Sequence, residues 1–324
     1  MRIFVTGAAS PLGRALVLAL RARGDQVVGL VRRRGGVTLM RHLGAEPVVG
    51  DVRKPDALAR AMKGCDAVVH LAHFFDFWSR RPDTFDDVNV GGAKHVVAAA
   101  IVARIPRLVF CSSALTIGEE PGERGTEWTR HRGWTVTSFE RSKLEAERVA
   151  QHARTKGLQV VTVNPALVVA PGDSGWLGRL FARAVAGRCR FAGTAPMGWV
   201  WVEDAARGIV LALEKGKDGE RYILCGETAS PHQILQKVAL LTRRSTPRPL
   251  PGMSRLGAAL ATALARPFGR RPLLSVEEER FARTGFRVDG GYAKAELGLA
   301  YTPSARWLPV LVDGYRKALG RFAA

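Results

Sequence analysis

The sequence lacks the features that mark several large classes of protein. Its four cysteines form no CxxC pair and no cluster with histidine: Cys65, Cys111, Cys189 and Cys225. That spacing excludes a disulfide framework and a structural zinc site. The N-terminal apolar run is broken by glycines and a proline between residues 6 and 13, so it is neither a secretory signal nor a membrane span. We expect a protein of the reducing cytoplasm with no metal site.

Acidic residues are also scarce. The chain has 29 Asp and Glu against 49 Lys and Arg, which gives a formal charge of +20. Most arginines are scattered among residues of both signs, and no basic-aromatic pattern or zinc-finger spacing typical of nucleic-acid binding is present. The sequence therefore predicts no nucleic-acid partner. Two dense arginine groups, Arg32–Arg34 and residues 266–271, need another explanation.

Strand and helix patterns alternate along the first half of the chain. Short apolar runs predict strands at residues 3–5, 26–31, 46–49, 67–71, 107–112 and 159–164, with helices at 56–63, 87–102 and 138–156. The strands lack polar alternation, as expected when both faces of a sheet are covered. The pattern predicts an α/β fold with a Rossmann-type, doubly wound parallel sheet. With 324 residues and 47% hydrophobic content, the chain can also form a second lobe.

A small-residue turn links the first strand to the first helix. It reads Thr6-Gly7-Ala8-Ala9-Ser10-Pro11-Leu12-Gly13, and a turn in this place presents a helix N-terminus to the pyrophosphate of a dinucleotide. The candidate cofactor-binding residues in it are Gly7, Ala9, Ser10, Pro11, Leu12 and Gly13.

This turn resembles the TGxxGxxG motif of the extended short-chain dehydrogenase/reductase family, with Ser10 in the place of the middle glycine. Further resemblances span almost the whole chain. They include Gly50-Asp51-Val52, His70-Leu71-Ala72, Asn89-Val90-Gly91-Gly92, Ser112-Ser113-Ala114, Asn164-Pro165 and residues 199–206, 220–224 and 294–299. Within the family the chain is most similar to the dihydroflavonol-reductase-like, 3β-hydroxysteroid-dehydrogenase-like and hopanoid-associated sugar epimerase groups.

The resemblance implies a division of the chain. Residues 1–165 form the dinucleotide-binding domain, to which 199–225 return, and 166–198 and 226–324 form a smaller, mostly helical substrate-binding lobe. It also implies that Asp51 and Val52 lie at the adenine, that Leu71, Ala72 and Pro165 line the cofactor, and that Ser113 is catalytic.

The charge at the end of the second strand bears on the choice of cofactor. An acidic residue there binds the ribose 2′-hydroxyl of NAD, whereas arginine suits a 2′-phosphate. Here Arg32 and Arg33 follow Val31 with no acid nearby, so NADP(H) is favoured over NAD(H). The alternative interpretation is a solvated basic turn.

The resemblance fails at the catalytic motif. The family's YxxxK places a proton-transferring tyrosine one helical turn before a lysine that holds the nicotinamide ribose. This chain has Phe139 and Lys143 at those positions, and its four tyrosines all lie downstream of residue 220. Three explanations stay open. Phe139 is an engineered change, or it is natural and Ser113, Thr137, Ser138 or a water carries the proton, or redox chemistry has been lost.

Aromatic residues are few, at 7% of the chain, but several fall where a substrate is expected. Phe74, Phe75 and Trp78 follow the fourth strand, and Trp176 lies in the substrate lobe. With Ser113, they are the candidate substrate-binding residues of an apolar pocket. His73 and His131 are interpreted as surface or pocket-rim side chains. We expect an NADP(H)-dependent oxidoreductase acting on a secondary alcohol or ketone of a cyclic, sterol-like or isoprenoid-like substrate.

Two other functions stay open: a sugar-nucleotide epimerase or dehydratase, and a redox-silent NADP-binding protein. An apolar segment at residues 256–265, flanked by arginines, is too short to span a bilayer. Its composition fits either a lobe helix packed on the core or a helix lying on an anionic membrane surface. Besides a small-molecule substrate, a membrane surface and a second copy of the chain are therefore candidate partners.

Overall fold

The computed structural model describes residues 1–251 and 254–321. Its strands are β1 Arg2–Thr6, β2 Gln26–Val31, β3 Glu46–Val49, β4 Ala67–His70, β5 Arg107–Cys111, β6 Gln159–Pro165, β7 Leu167–Val169, β8 Phe191–Ala192, β9 Met197–Trp201, β10 Arg221–Leu224, β11 Glu227–Ala229 and β12 Arg248–Pro249. Its α-helices are α1 Pro11–Ala22, α2 Arg34–His42, α3 Leu58–Met62, α4 Gly92–Val102, α5 Ser138–His152, α6 Trp176–Val185, α7 Val202–Lys215, α8 Pro231–Thr242, α9 Ser254–Ala265, α10 Val276–Thr284, α11 Gly291–Leu297 and α12 Ser304–Arg321.

Seven parallel strands form the main sheet in the order β10-β6-β5-β4-β1-β2-β3. The order reverses between β1 and β4, and ligands of such sheets bind at the carboxyl ends of the strands beside that reversal. The central strands are buried on both faces, as in Val68 and Val69 of β4. The predicted Rossmann-type fold is therefore confirmed.

Two small sheets and most of the later helices lie outside the main sheet. One small sheet has the order β11-β9-β7, and the other pairs β8 with β12. After them the chain continues with α8 to α12. Strand β10 belongs to the main sheet, and α7 packs against α1. The division of the chain near residues 165, 199 and 225 stays a prediction.

The structure differs from the predicted elements in several places. Helix α2 was missed because Gly35 and Gly36 lie in its first turn, and glycine costs about 1 kcal/mol in a helix. The predicted helix 87–102 begins instead with a π-helical turn, Asp86–Gly91. Strands β4 and β5 each end one residue earlier than predicted, at His70 and Cys111. In both cases the backbone nitrogen of the next residue still donates to the neighbouring strand, Leu71 to Thr6 and Ser112 to Val163.

Candidate active site

A cavity of about 280 Å³ opens at the carboxyl edge of the main sheet. It lies between the small-residue turn, the ends of β5 and β6, the start of α5 and the helix α6. The residues that line it are mainly apolar: Ser10, Pro11, Leu12, His73, Phe75, Cys111, Ser112, Ser113, Leu115, Phe139, Pro165, Ala166, Leu167, Val168, Ala170, Asp173, Gly175, Trp176, Leu177 and Phe286. The cavity thus joins the predicted cofactor turn to the predicted catalytic and substrate residues.

The small-residue turn fits a dinucleotide. Gly7 has φ +69°, and a Cβ there would lie 2.9 Å from the Ala72 nitrogen, while a Cβ on Gly13 would lie 2.2 Å from the Gly7 carbonyl oxygen. Only glycine allows this close packing of turn, strand and helix. Ser10 caps α1 by accepting a hydrogen bond from the Gly13 nitrogen at 3.0 Å. The exposed turn therefore ends at a helix N-terminus suited to a pyrophosphate.

The basic cluster at the end of β2 has no acidic partner. Arg32 and Arg33 are exposed, and the nearby Asp51 is already bound to Arg53, with Nη2–Oδ2 at 2.6 Å and Nε–Oδ1 at 3.1 Å. The hydrogen bonds of Arg53 are the main cause that lowers the pKa of Asp51, and the charge of Arg32 adds to it. Asp51, expected at the adenine, is therefore engaged with Arg53, while the side chains of Arg32 and Arg33 form no hydrogen bond or ion pair with any residue that the structure describes.

Helix α5 brings Phe139 and Lys143 to the same place. Thr137 caps the helix by accepting from the Glu140 nitrogen, and the spacing of four residues puts Phe139 and Lys143 on one face. The Lys143 ammonium is 2% exposed and donates to the Cys111 carbonyl oxygen at 2.7 Å. Burial lowers the pKa of Lys143 to about 8. Among the described residues Nζ has no other hydrogen-bond partner, so two of its protons are unpaired there, and Lys143 lies behind the residues that line the cavity.

Ser113 lies at the end of β5 on the cavity wall. Its Oγ accepts from the Leu115 nitrogen at 3.3 Å, which leaves the hydroxyl proton free to donate to a substrate oxygen. Its carbonyl oxygen accepts from Nδ2 of Asn164 at 3.2 Å and from the backbone nitrogen of Thr116 at 3.0 Å, with the Thr116 hydroxyl 2.8 Å away. The Thr116 hydroxyl donates its single proton to the buried Glu147 carboxylate at 2.8 Å. This network fixes the backbone from which the Ser113 hydroxyl projects.

Hydrogen bonds hold the backbone of the segment after β4 at Ala72 and Phe74, the two neighbours of His73. The Thr6 hydroxyl lies 2.7 Å from Nδ1 of His70 and accepts from the Ala72 nitrogen at 3.1 Å. Asn89 then holds Phe74 at both backbone atoms, with Phe74 N to Oδ1 at 2.7 Å and Nδ2 to Phe74 O at 3.1 Å. The same Nδ2 donates to Ser142 of α5 at 2.8 Å. Asn89 thus ties the segment that contains His73 to the helix that contains Phe139.

Of the five candidate substrate residues, Ser113, Phe75 and Trp176 line the cavity. The ring of Phe75 lies 4.6 Å from that of Phe139 and 6.1 Å from that of Trp176, measured between centroids. Phe74 and Trp78 do not line the cavity, and Phe74 instead packs its ring against Phe85 at 5.0 Å. Because side chains alternate in direction along an extended segment, neighbours in sequence need not face the same space.

The three residues whose hydroxyls could replace the missing phenol differ in whether they line the cavity. Ser113 lines the cavity, but Thr137 and Ser138 do not. The Ser138 hydroxyl donates to Glu277 of α10 at 2.5 Å. His131 lies 3.9 Å from the buried Glu140 carboxylate, away from the cavity lining. His73, in contrast, lines the cavity, and it lies just after the motif segment His70-Leu71-Ala72, so no motif includes it.

Comparisons with known proteins identify the family of this chain. The model of the NAD dependent epimerase/dehydratase family matches residues 3–225, and the chain belongs to this family, which is the extended short-chain dehydrogenase/reductase type. Sterol demethylase protein B of Methylococcus capsulatus is 33% identical over 309 residues, covering 93% of this chain and 94% of that protein.

Two further proteins illustrate the range of the family. A 4-hydroxy-2-methyl-3-oxo-4-farnesyl-3,4-dihydroquinoline-1-oxide ketoreductase of Stigmatella aurantiaca is 32% identical, over 69% of this chain and 68% of its own length. The crystal structure of a nucleoside-diphosphate-sugar epimerase from Pseudomonas aeruginosa superposes with a TM-score of 0.80 at 26% identity, covering 98% of each chain. The chain is thus an oxidoreductase of a nicotinamide-dependent family.

Proposed function

We propose that the protein transfers hydride between NADP(H) and a secondary alcohol or ketone on an apolar, cyclic substrate of sterol or isoprenoid type. The observation that carries the proposal is the cavity itself, in which Ser113 and Phe139 meet an aromatic wall of Phe75 and Trp176 beside the cofactor turn. A pocket that is mostly apolar with a few convergent polar groups is typical of such substrates. The names of the Methylococcus and Stigmatella relatives, which refer to a sterol and a farnesyl ketone, support the same class.

The residues of this chain divide the work as follows. The turn at residues 7–13 and the N-terminus of α1 bind the pyrophosphate, and Arg32 and Arg33 bind the 2′-phosphate of the adenosine ribose. The two free protons of the Lys143 ammonium hold the nicotinamide ribose. The Ser113 hydroxyl orients the reacting oxygen of the substrate. A bound nicotinamide supplies or accepts the hydride.

A sugar-nucleotide substrate fits this cavity less well. Such a substrate carries a diphosphate and needs several cationic contacts. Four arginines of the predicted substrate lobe could supply cationic contacts to a diphosphate, but all four are exposed and none lines the cavity: Arg179, Arg183, Arg188 and Arg190. Arg179 is also paired with Asp76 at 3.0 Å.

A turnover assay separates the three candidate functions. We expect the protein to oxidise NADPH in the presence of an apolar cyclic ketone such as cholestanone or decalone, and not with a sugar nucleotide such as UDP-glucose. Absorbance of the reduced cofactor is the readout for the ketone, and chromatography of the sugar nucleotide is the readout for epimerisation or dehydration, which cause no net change in the cofactor. Turnover of the sugar nucleotide alone would favour the epimerase or dehydratase alternative. Tight NADPH binding with no turnover of any ketone would favour the redox-silent alternative.

We further propose that an exposed apolar stripe places the protein on an anionic membrane surface, from which an apolar substrate enters. The stripe consists of Leu256, Leu260, Leu264 and Phe268, which are 62% to 75% exposed and recur every four residues. Within α9, Ser254 and Ala258 are the buried residues. No helix among the described residues is long and apolar enough to cross a membrane.

Charge around the stripe matches an anionic surface. Arg255, Arg266 and Arg270 are exposed beside it, and residues 254–276 contain no Asp or Glu. Basic residues next to an apolar helix face strengthen binding to anionic lipids by about 1 kcal/mol each. Helix α9 contacts α10 through the hydrogen bond from Ser254 to Glu279 at 2.9 Å, and α10 contacts the cavity through Glu278, which accepts from Trp176 at 2.7 Å. The stripe is therefore connected to the cavity wall.

Sedimentation with vesicles tests this surface. At low salt, we expect the protein to sediment with vesicles that contain phosphatidylglycerol and not with pure phosphatidylcholine vesicles. The triple substitution Leu256→Ser, Leu260→Ser and Leu264→Ser should abolish binding to the anionic vesicles. The control Leu240→Ser, which changes an exposed leucine of α8, should not. A protein that ignores anionic vesicles, or a stripe that is buried in a dimer in solution, would contradict the membrane assignment.

A further inference from the structure

His73 is held in one ring orientation on the cavity wall. Its Nδ1 lies 2.9 Å from the Leu71 carbonyl oxygen. A carbonyl only accepts hydrogen bonds, so Nδ1 carries a proton. In the neutral ring Nε2 is then unprotonated and has a free lone pair. No other hydrogen bond of the ring occurs within the part of the chain that the structure describes.

The His73 ring lies close to Phe139, which lacks the phenol hydroxyl that transfers the proton in the family. The imidazole centroid lies 5.8 Å from the Phe139 centroid, and both rings line the same cavity with Ser113. The clamp from Asn89 to Phe74 and Ser142 fixes the backbone next to His73 against α5. The His73 imidazole, which can exchange a proton, therefore lies beside the Phe139 ring, which cannot.

We propose that His73 is a catalytic residue of this protein, and that its Nε2 exchanges the proton with the substrate oxygen in place of the missing phenol. The inference rests on the proposed oxidoreductase function. In alcohol oxidation the substrate O–H bond breaks and its proton goes to Nε2, while the carbon-bound hydrogen leaves as hydride to the oxidised cofactor and the C=O bond forms. In ketone reduction the carbonyl carbon receives the hydride, and the Nε2–H bond of the imidazolium breaks as the new O–H bond forms.

The surroundings of His73 favour the neutral ring. The protein atoms packed around the ring, which weaken its hydration, and then the charge of Lys143 hold the pKa of His73 below its ordinary value, although the side chain is exposed at the open cavity. The other titratable groups that face it are His70, whose pKa burial lowers to about 3, the Cys111 thiol, whose pKa burial raises to about 11, and the Asp173 carboxylate. Asp173 is bound to the backbone nitrogens of Gly175 and Gly178. At neutral pH the ring is thus ready to accept a proton.

The rate of ketone reduction should fall as the pH rises. Ketone reduction needs the protonated ring, whose fraction falls tenfold for each pH unit above the pKa. The single-turnover rate of reduction should therefore fall about tenfold per unit between about pH 6 and 8. Alcohol oxidation needs the neutral ring and should be flat over the same range. A rate of reduction that does not change with pH would overturn the assignment.

The decisive test uses His73→Gln, with His152→Gln, an exposed histidine at the end of α5, as the matched control. We expect His73→Gln to lower the single-turnover rate about 10²- to 10⁴-fold, the usual range for general acid-base catalysis, with NADPH affinity unchanged. Adding Phe139→Tyr to His73→Gln should restore most of the loss. Turnover that His73→Gln leaves intact overturns the role of His73 alone, whereas no turnover by the unsubstituted protein overturns the oxidoreductase function and this role together.

A second readout needs neither substrate nor cofactor. Nitrogen NMR of the protein alone should show the neutral His73 ring with its proton on Nδ1 and a titration below the ordinary histidine value. A neutral ring protonated on Nε2, or a titration at the ordinary histidine value, would contradict the proposal because the lone pair would not face the cavity.

Discussion

Replacing both Arg32 and Arg33 by alanine is expected to weaken NADPH binding about 10²-fold and to leave NADH binding within about threefold of its original value. Each charge-assisted hydrogen bond to a phosphate contributes roughly 1.5 kcal/mol or more, which corresponds to about tenfold per arginine. Both side chains are exposed at the end of β2, where a dinucleotide places its adenosine ribose. Titration of the protein with each cofactor, followed by calorimetry, gives the two dissociation constants.

The structure supplies a reason for expecting a selective effect. The only nearby carboxylate at the end of β3, within the described residues, is Asp51, and Arg53 neutralises it. Helix α2, which starts at Arg34, adds a free N-terminus without a side-chain cap at the same place. The matched control is Arg41→Ala, an exposed arginine in the last turn of α2, which should leave NADPH affinity unchanged. NADH binding as tight as NADPH binding, before any substitution, would contradict the choice of NADP(H).

Restoring the phenol by Phe139→Tyr is expected to raise the single-turnover rate of ketone reduction about 10²-fold near pH 7. General acid catalysis by a positioned group contributes about 10²- to 10⁴-fold, and the buried Lys143 on the same helix face, whose ammonium stabilises a phenolate, is already in place. The gain should be smaller in alcohol oxidation, for which the neutral His73 ring is ready at this pH. Stopped-flow absorbance of the reduced cofactor measures both directions.

A suitable control adds the same oxygen elsewhere. Phe191→Tyr adds a hydroxyl to an exposed ring of β8 outside the cavity, and should change neither rate. If Phe139→Tyr binds NADPH normally and gains nothing, proton transfer does not take place beside residue 139. In that case the site proposed for the reaction is wrong, whatever the substrate.

Much of the fold followed from local sequence signals. Apolar strands without alternation, such as Val68 and Val69, predict a sheet covered on both faces, and the turn ending at Gly13 predicts where α1 begins. Helix α2 could not be predicted because Gly35 and Gly36 have a low intrinsic helix propensity. Contacts with neighbouring structure stabilise the helix in the folded protein. The π-helical turn at residues 86–91 was not predicted, because single π-helical turns are rare and have no sequence signature used above.

The candidate site was predictable to a smaller extent. Ser113, Phe139 and Lys143 follow from motif spacing, and the structure brings the first two onto one cavity. His73 carries no motif, and its significance depends on a contact to the Leu71 carbonyl oxygen and on the direction in which its side chain projects. Those are properties of tertiary structure. The separation of Phe75, which lines the cavity, from Phe74, which packs on Phe85, has the same origin.

The central claim is that this cavity transfers hydride from a nicotinamide cofactor to an apolar ketone. Incubation of the protein with cholestanone or decalone and NADPH deuterated at the transferring carbon, followed by mass spectrometry of the alcohol, tests it most directly. We predict one deuterium on the carbinol carbon of the product, with far less product formed in the same time by the His73→Gln variant and most of it recovered when Phe139→Tyr is added. Alcohol without deuterium from cofactor labelled on either face, or no alcohol at all from a protein that binds NADPH, would contradict the account.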